Sequence, residues 1–225
     1  MTPDNKAAAK TAIQIDAGRH WMVTGATGAG KTFWAQNWFL PRFKRQIVVD
    51  TEELEFEEEI WDPVSSKKAV ALASRNRPFR VKVPFDVGDA GREEYATFAD
   101  GLLRTGHDVV IWVDEYPDFT KNSQQTQEGL RLTRKARKRG VTMAFATQRP
   151  QSIDKDAYTQ CFHHVFFGMD EGDIDYWHTR APYIRELAPK VSVDNHKWIY
   201  HRSGHPAQVF SAVPEYSWEA EKRKR

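Results

Sequence analysis

The sequence of 225 residues contains one cysteine, Cys161. No disulfide can close within such a chain, and a reducing compartment is the expected setting. Long apolar runs are missing as well. The longest clean one, Val109–Val113, is far short of the ~20 residues that span a bilayer and suits a buried strand. The start has no apolar leader core, since Lys6 and Lys10 bracket alanines, so a cytoplasmic location and no membrane span are expected. Charge of one sign is not in excess. The 33 Lys and Arg nearly balance the 31 Asp and Glu, leaving +2, so any surface for a polyanion must be a local cluster. Internal repeats and long low-complexity stretches are also lacking. Apolar material is plentiful: 40% hydrophobic residues, with eight tryptophans, are enough for a packed core and exclude global disorder. The length suits one domain. Residues 1–12 read as a flexible arm, 13–190 as the core, and 191–225 as C-terminal strands with a basic tail.

Short apolar runs alternate with helix-period segments. Strands are predicted at Ile13–Ile15, His20–Thr24, Gln46–Asp50, Phe79–Val83, Val109–Val113, Val141–Ala146 and Val165–Phe167, and edge strands or a hairpin at Trp198–Tyr200 and Gln208–Phe210. Helices are predicted at Thr32–Leu40, stopped by Pro41, and at Ser66–Asn76, Gly91–Leu103 and Ser123–Arg139, the last ended by Gly140. The acidic stretch Glu52–Glu59 reads as a solvated helix face. Continuous apolar strands separated by helices imply an α/β fold, a mostly parallel sheet with helices on both faces. Ligands of such sheets sit at the carboxyl ends of the strands. Gly25, Asp114 and Gln148 each fall just past a predicted strand, so three motifs point to one edge.

The first motif is Gly25-Ala26-Thr27-Gly28-Ala29-Gly30-Lys31-Thr32, which fits the phosphate-loop pattern G-x-x-x-x-G-K-[ST] at every position. Glycines let backbone N–H groups turn inward around phosphate oxygens, and the following helix offers unpaired donors at its start. Lys31 would reach the β and γ phosphates of ATP and Thr32 would coordinate Mg²⁺. A chain of this length shows the pattern by chance roughly once in a hundred, and here it has the required strand before it and helix after it. The second motif, Asp114-Glu115, ends an apolar strand. Such an Asp holds the Mg²⁺ shell, and an adjacent Glu can deprotonate the attacking water, which argues for hydrolysis over transfer to a bound hydroxyl.

Three further features are open to two readings each. Gln148 could contact the γ-phosphate or the lytic water, or belong to a turn ended by Pro150. The cluster Arg131, Arg134, Lys135, Arg137, Lys138, Arg139 could be helix-end cations, or could supply an arginine finger and contacts to a nucleic-acid backbone. The tail Lys222–Arg225 is a solubilising end or a DNA-contacting arm. Cys161, His163 and His164 lack a second ligand pair at metal-binding spacing. His196, His201 and His205 read as surface or packing residues, and Phe33, Trp34, Trp38 and Phe39 as core packing.

The order GATGAGKT, VVIWVDEY, LTRKARKRGVTMAFATQRP resembles the FtsK/HerA superfamily of DNA-pumping P-loop ATPases, with a RecA-like fold, over roughly residues 20 to 170. The resemblance implies a homo-oligomer, a hexameric ring with ATP between subunits and double-stranded DNA in the pore. By the same resemblance Lys31 and Thr32 are the Walker A pair, Asp114 the metal ligand, Glu115 the catalytic base and Gln148 the polar sensor. Arg137 is the trans-acting arginine, with Arg134 and Arg139 as alternatives. The short chain looks most like the minimal genome-packaging ATPases of tailless icosahedral viruses with internal membranes. That implies a motor in the host cytoplasm, at a capsid vertex beside a portal protein. A plasmid or filamentous-phage DNA-transfer ATPase is the alternative among motors; a small-molecule kinase and a nucleotide switch are the competing classes.

Overall fold

A computed structural model describes residues 13–51 and 56–218. The expected arm 1–12, the tail Lys222–Arg225 and residues 52–55 of the acidic stretch lie outside them. Strands are β1 His20–Thr24, β2 Arg45–Asp50, β3 Asp62–Pro63, β4 Phe79–Pro84, β5 Val110–Val113, β6 Thr120–Lys121, β7 Gln124–Gln125, β8 Thr142–Thr147, β9 Cys161–Phe166, β10 Trp198–Arg202 and β11 Gln208–Phe210. Helices are α1 Lys31–Trp34, α2 Ser66–Ala73, α3 Asp89–Thr105, α4 Gln127–Lys135, α5 Lys155–Gln160, α6 Glu171–His178 and α7 Ile184–Leu187.

One nine-stranded sheet runs in the order β11-β10-β9-β1-β8-β5-β2-β4-β3. Pairing is parallel from β9 to β3, and β10 and β11 close one edge as an antiparallel hairpin. The expected α/β fold with a mostly parallel sheet is therefore found. Alternation along each strand sorts the core into two layers. Met22, Ile47, Val49, Ile111, Val113, Met143 and Phe145 face one layer. Trp21, Val23, Val48, Trp112, Ala144 and Ala146 face the other. The first layer is covered by α2, α3, α4 and the helices after β8. The second has mainly the helical stretch Lys31–Arg42 and the chain around 213–218 over it. Large rings fill what helices would otherwise cover there: of the eight tryptophans only Trp177 belongs to the first layer.

Several local expectations change. Ser123–Arg139 is not one helix: β6 and β7 form a hairpin whose tip, Asn122-Ser123, has φ of 53° and 56°, the left-handed pair that a two-residue turn needs. The helix starts only after Thr126, whose hydroxyl accepts from the Gly129 N–H at 3.1 Å. It tightens to 3₁₀ over Ala136–Arg139 before Gly140 ends it at φ 74°. Pro41 does not stop its helix, which passes through a π segment, Ala35–Phe39, and a 3₁₀ turn, Leu40–Arg42. Proline sits in the first turn of that 3₁₀ piece, where no N–H is needed. The Asn37 amide donates to the Phe33 carbonyl at 2.8 Å and accepts from the Tyr216 N–H at 2.7 Å, which holds the π segment in place. Ile13–Ile15 is irregular backbone, not a strand, though both isoleucines pack on the second layer. Glu57–Ile60 forms a turn anchored by buried Phe56, not a helix.

Candidate nucleotide-binding site

β1 delivers the chain to the glycine loop at the carboxyl edge of the sheet. The Gly25 N–H bonds to the Thr147 carbonyl at 3.3 Å, and the Ala26 N–H to the Gly168 carbonyl at 2.8 Å. The loop is thus pinned to the chain leaving β8 and β9. Gly25 tolerates no side chain: a Cβ there would lie 2.6 Å from the Phe167 Cβ. Gly30 has φ of 98° and turns the chain into α1, a backbone shape that L side chains rarely adopt.

Lys31 is buried, and its ammonium donates to the carbonyls of Gly25 at 2.9 Å and Ala26 at 3.2 Å. A cation already fixed at the loop loses little rotamer freedom when it takes a phosphate. Asp114 is also buried, and the Trp112 indole N–H donates to it at 3.3 Å. Successive residues of an extended strand would face opposite ways, yet Asp114 and Glu115 line the same cleft. The left-handed backbone at Glu115, φ 38°, makes this possible, a strained conformation of the kind that clusters at functional sites. The Gln148 N–H donates to the Glu115 carboxylate at 3.2 Å, and the Thr27 hydroxyl donates to the Gln148 side-chain oxygen. Loop, acid pair and glutamine therefore meet in one cleft of about 200 Å³, lined by Thr27, Lys31, Thr32, Asp114, Glu115 and Gln148 among others.

This donor set fits magnesium. Among the described residues no group of three or more His, Cys, Asp or Glu could hold a metal ion, and Mg²⁺ is ordinarily bound by one or two carboxylates together with substrate phosphates. Asp114 and the Thr32 hydroxyl offer hard oxygen ligands of that kind.

Arg137 is not brought to this cleft. It lies on the 3₁₀ turn before β8, at the amino edge of the sheet, and its side chain is exposed. The length of β8, six residues or about 20 Å, separates it from Thr147 and the loop. Arg139 has structural work instead, donating to the carbonyls of Leu102 at 3.0 Å, of Arg104 at 2.9 Å and of Leu103, at the end of α3. Arg134 is paired with Asp156 at 2.9 Å.

Two further residues at the site, Phe33 and Asp118, are only weakly marked in the chain. Phe33, expected in the core, is 47% exposed and lines the cleft. Its place two residues after Lys31 on a short helix was the available signal. Asp118 accepts from the Thr51 hydroxyl at 3.3 Å. Burial pushes its carboxyl above the ordinary carboxylate range, opposed by that hydrogen bond and by nearby Arg149. His163 acts in packing, stacking on Trp21 at 4.0 Å and bonding the Tyr200 hydroxyl at 2.8 Å. No helix among the described residues is long and apolar enough to cross a membrane.

The sheet, its edge loop and the acid pair define a P-loop NTPase fold. Solved structures share it. The genome packaging NTPase B204 from Sulfolobus turreted icosahedral virus 2, in complex with sulfate, superposes with a TM-score of 0.72 at 15% identity, over 90% of this chain and all of that one. VirB4 of Thermoanaerobacter pseudethanolicus gives 0.63 at 13%, over 92% and 95%. The pCW3 conjugation coupling protein TcpA gives 0.60 at 14%, over 95% and 67%. In sequence, Protein P9 of Pseudoalteromonas phage PM2 is 25% identical over 142 residues, 63% of this chain. The match spans 65% of that relative's length. No family model matches the chain. The likeness to viral genome-packaging ATPases expected from the sequence thus reappears in the fold.

Proposed function

We propose that the protein is an ATPase motor that moves double-stranded DNA and packages a viral genome into a preformed capsid. The observation that carries this reading is the single cleft shared by Lys31, Thr32, Asp114, Glu115 and Gln148. The loop backbone and Lys31 bind the β and γ phosphates; Thr32 and Asp114 would hold Mg²⁺, which would supply neutralisation of charge on the phosphate oxygens. Glu115 takes the proton of the attacking water. Gln148 joins loop and base, its side chain meeting Thr27 and its backbone N–H holding Glu115.

Arg137 lies a strand's length from its own loop, which supports a role on the phosphates of a neighbouring subunit in a ring, hexameric by the resemblance. Likeness to the packaging NTPase supports DNA packaging at a capsid vertex, in the host cytoplasm, with a portal protein as partner. The similar superpositions of VirB4 and of a conjugation coupling protein favour plasmid DNA transfer as the second reading. Both need DNA-coupled hydrolysis, and a kinase does not. The test is ATP hydrolysis with Mg²⁺, with and without duplex DNA of two unrelated sequences. Stimulation by both duplexes is expected. Hydrolysis that neither duplex alters would contradict the motor reading.

A further inference from the structure

At about 200 Å³ the phosphate cleft is smaller than the roughly 300–1,000 Å³ of sites that hold whole drug-sized ligands. At Gly28, Gly30 and Phe33 it adjoins a second cavity of about 420 Å³. That cavity is apolar in character. Its other walls include Trp34 and Trp198 from the second core layer, and His196 and Val213 from the C-terminal segment. No carboxylate, amide, guanidinium or ammonium side chain lines it. Two of the three large apolar side chains exposed among the described residues gather here: Phe33, and Val193, whose methyl would lie 3.8 Å from a Cβ on Gly28. His196 is held over the loop from the other side, its backbone at φ 47° and its ring 3.4 Å from where a Gly30 Cβ would stand.

We propose that this second cavity receives the base of the nucleotide whose phosphates occupy the loop, by stacking and apolar contact, so that ATP and GTP bind nearly alike. The inference rests on the phosphate-loop reading and extends it. Every base offers a π-face to an aromatic ring, and stacking is tolerant of base identity. Telling adenine from guanine requires polar groups aimed at their exocyclic amine and carbonyl, because a site built to hydrogen-bond such groups is what rejects the analogue. Besides the His196 imidazole, the side chains on these walls carry only indole N–H groups: that of Trp198 is taken by the Ser211 carbonyl at 3.0 Å, and that of Trp34 is buried. Placing the base here also couples the C-terminal segment to the loop, since His196 and Val213 become ordered against the ligand that Lys31 holds.

The experiment is calorimetric titration of the full chain with Mg-ATP, Mg-GTP and inorganic tripolyphosphate, read together with tryptophan emission, to which Trp34 and Trp198 report. The two nucleotides should agree within about fivefold, the span of about 1 kcal/mol. Tripolyphosphate should bind at least about tenfold more weakly, the value of one stacked base, and should leave the emission unchanged. Phe33→Ala should weaken both nucleotides by about tenfold without moving tripolyphosphate. His196→Ala, at another exposed position, should act in the same direction. The proposal is overturned if the nucleotides bind no better than tripolyphosphate, if both variants leave nucleotide affinity unchanged or weaken all three ligands equally, or if ATP is preferred over GTP by about a hundredfold or more. Nucleotides that bind and respond to Phe33→Ala while tripolyphosphate does not bind at all would instead strike the phosphate-loop reading and leave the base site standing.

Discussion

The Glu115 carboxylate accepts a hydrogen bond from the backbone N–H of Gln148, 3.2 Å away, across the gap between the chain ends of β5 and β8. Those two strands pair directly in the sheet, so the contact depends on sheet register and not on either motif alone. Because the donor is a backbone group, it holds the carboxylate in place without depending on the glutamine side chain, which is left to meet Thr27.

Glu115→Gln keeps the shape of this contact and removes the base. Nucleotide binding should persist, while turnover should fall by about 10²–10⁴. Lys31→Ala should instead lose binding and turnover together, because it removes the cation on the phosphates. Equilibrium binding of a nucleotide analogue and steady-state hydrolysis, measured on both variants, separate the two. Hydrolysis at the wild-type rate in Glu115→Gln would remove Glu115 from the mechanism.

Arg137 and Arg139 are two residues apart and should behave differently. Arg139→Ala strips cationic donors from the carboxyl end of α3 and should cost about 1–2 kcal/mol of stability, measurable by urea denaturation. Arg137→Ala should unfold at the wild-type midpoint, bind nucleotide, and lose about 10³–10⁵ in rate. Mixing it with Lys31→Ala should restore part of the activity, because some intact fingers then face intact loops. No recovery in rings shown to be mixed would exclude action in trans.

Much of the site could be read from the chain because its parts are local. The loop, the acid pair and Gln148 each follow a strand whose apolar run is visible, and parallel order then brings strand ends to one edge. Features that depend on distant contacts are not legible in the chain. The hairpin before α4 hides in polar residues whose left-handed backbones carry no periodic signal. Helices α5 and α6 follow caps, Asp154 and Asp170, that accept from N–H groups two or three residues on, but their short apolar faces are read only against the layer they cover. Phe33 looked like core because the sequence shows helical spacing without showing which neighbour covers it. Arg134, Arg137 and Arg139 were inseparable until Asp156 and the end of α3 were seen to occupy two of them.

Three buried histidines predict acid sensitivity. Burial pushes His20 down to about 4, His163 to about 3 and His164 to about 4, from an ordinary value of 6.5. His20 is neutral for a structural reason: it accepts the Met143 N–H at 3.0 Å on Nδ1 and faces the Thr133 carbonyl at 2.7 Å with Nε2. The folded state refuses protons that the unfolded chain takes up. Stability should therefore be full above about pH 6.5 and fall as pH drops toward 4, by on the order of 1 kcal/mol per pH unit for each histidine. Urea midpoints between pH 7.5 and 5 measure this, and His163→Phe should flatten the slope by about one proton. A pH-independent midpoint would contradict it.

Binding to duplex DNA should weaken steeply with salt and ignore sequence, because the basic residues available are exposed side chains suited to phosphate contact. With a net charge of only +2, the lone subunit should bind weakly and the assembled ring tightly. Fluorescence anisotropy on two unrelated duplexes at two salt concentrations checks both statements. A strong preference for one short sequence would sink the idea.

If hydrolysis in the cleft of Lys31 and Glu115 drives movement along duplex DNA, displacement of a third strand from a triplex-bearing duplex measures that movement directly. The wild-type protein should strip the third strand with Mg-ATP, and Glu115→Gln should bind the same duplex without stripping it. Wild-type ATP hydrolysis that proceeds on this DNA and leaves the triplex intact would contradict the account.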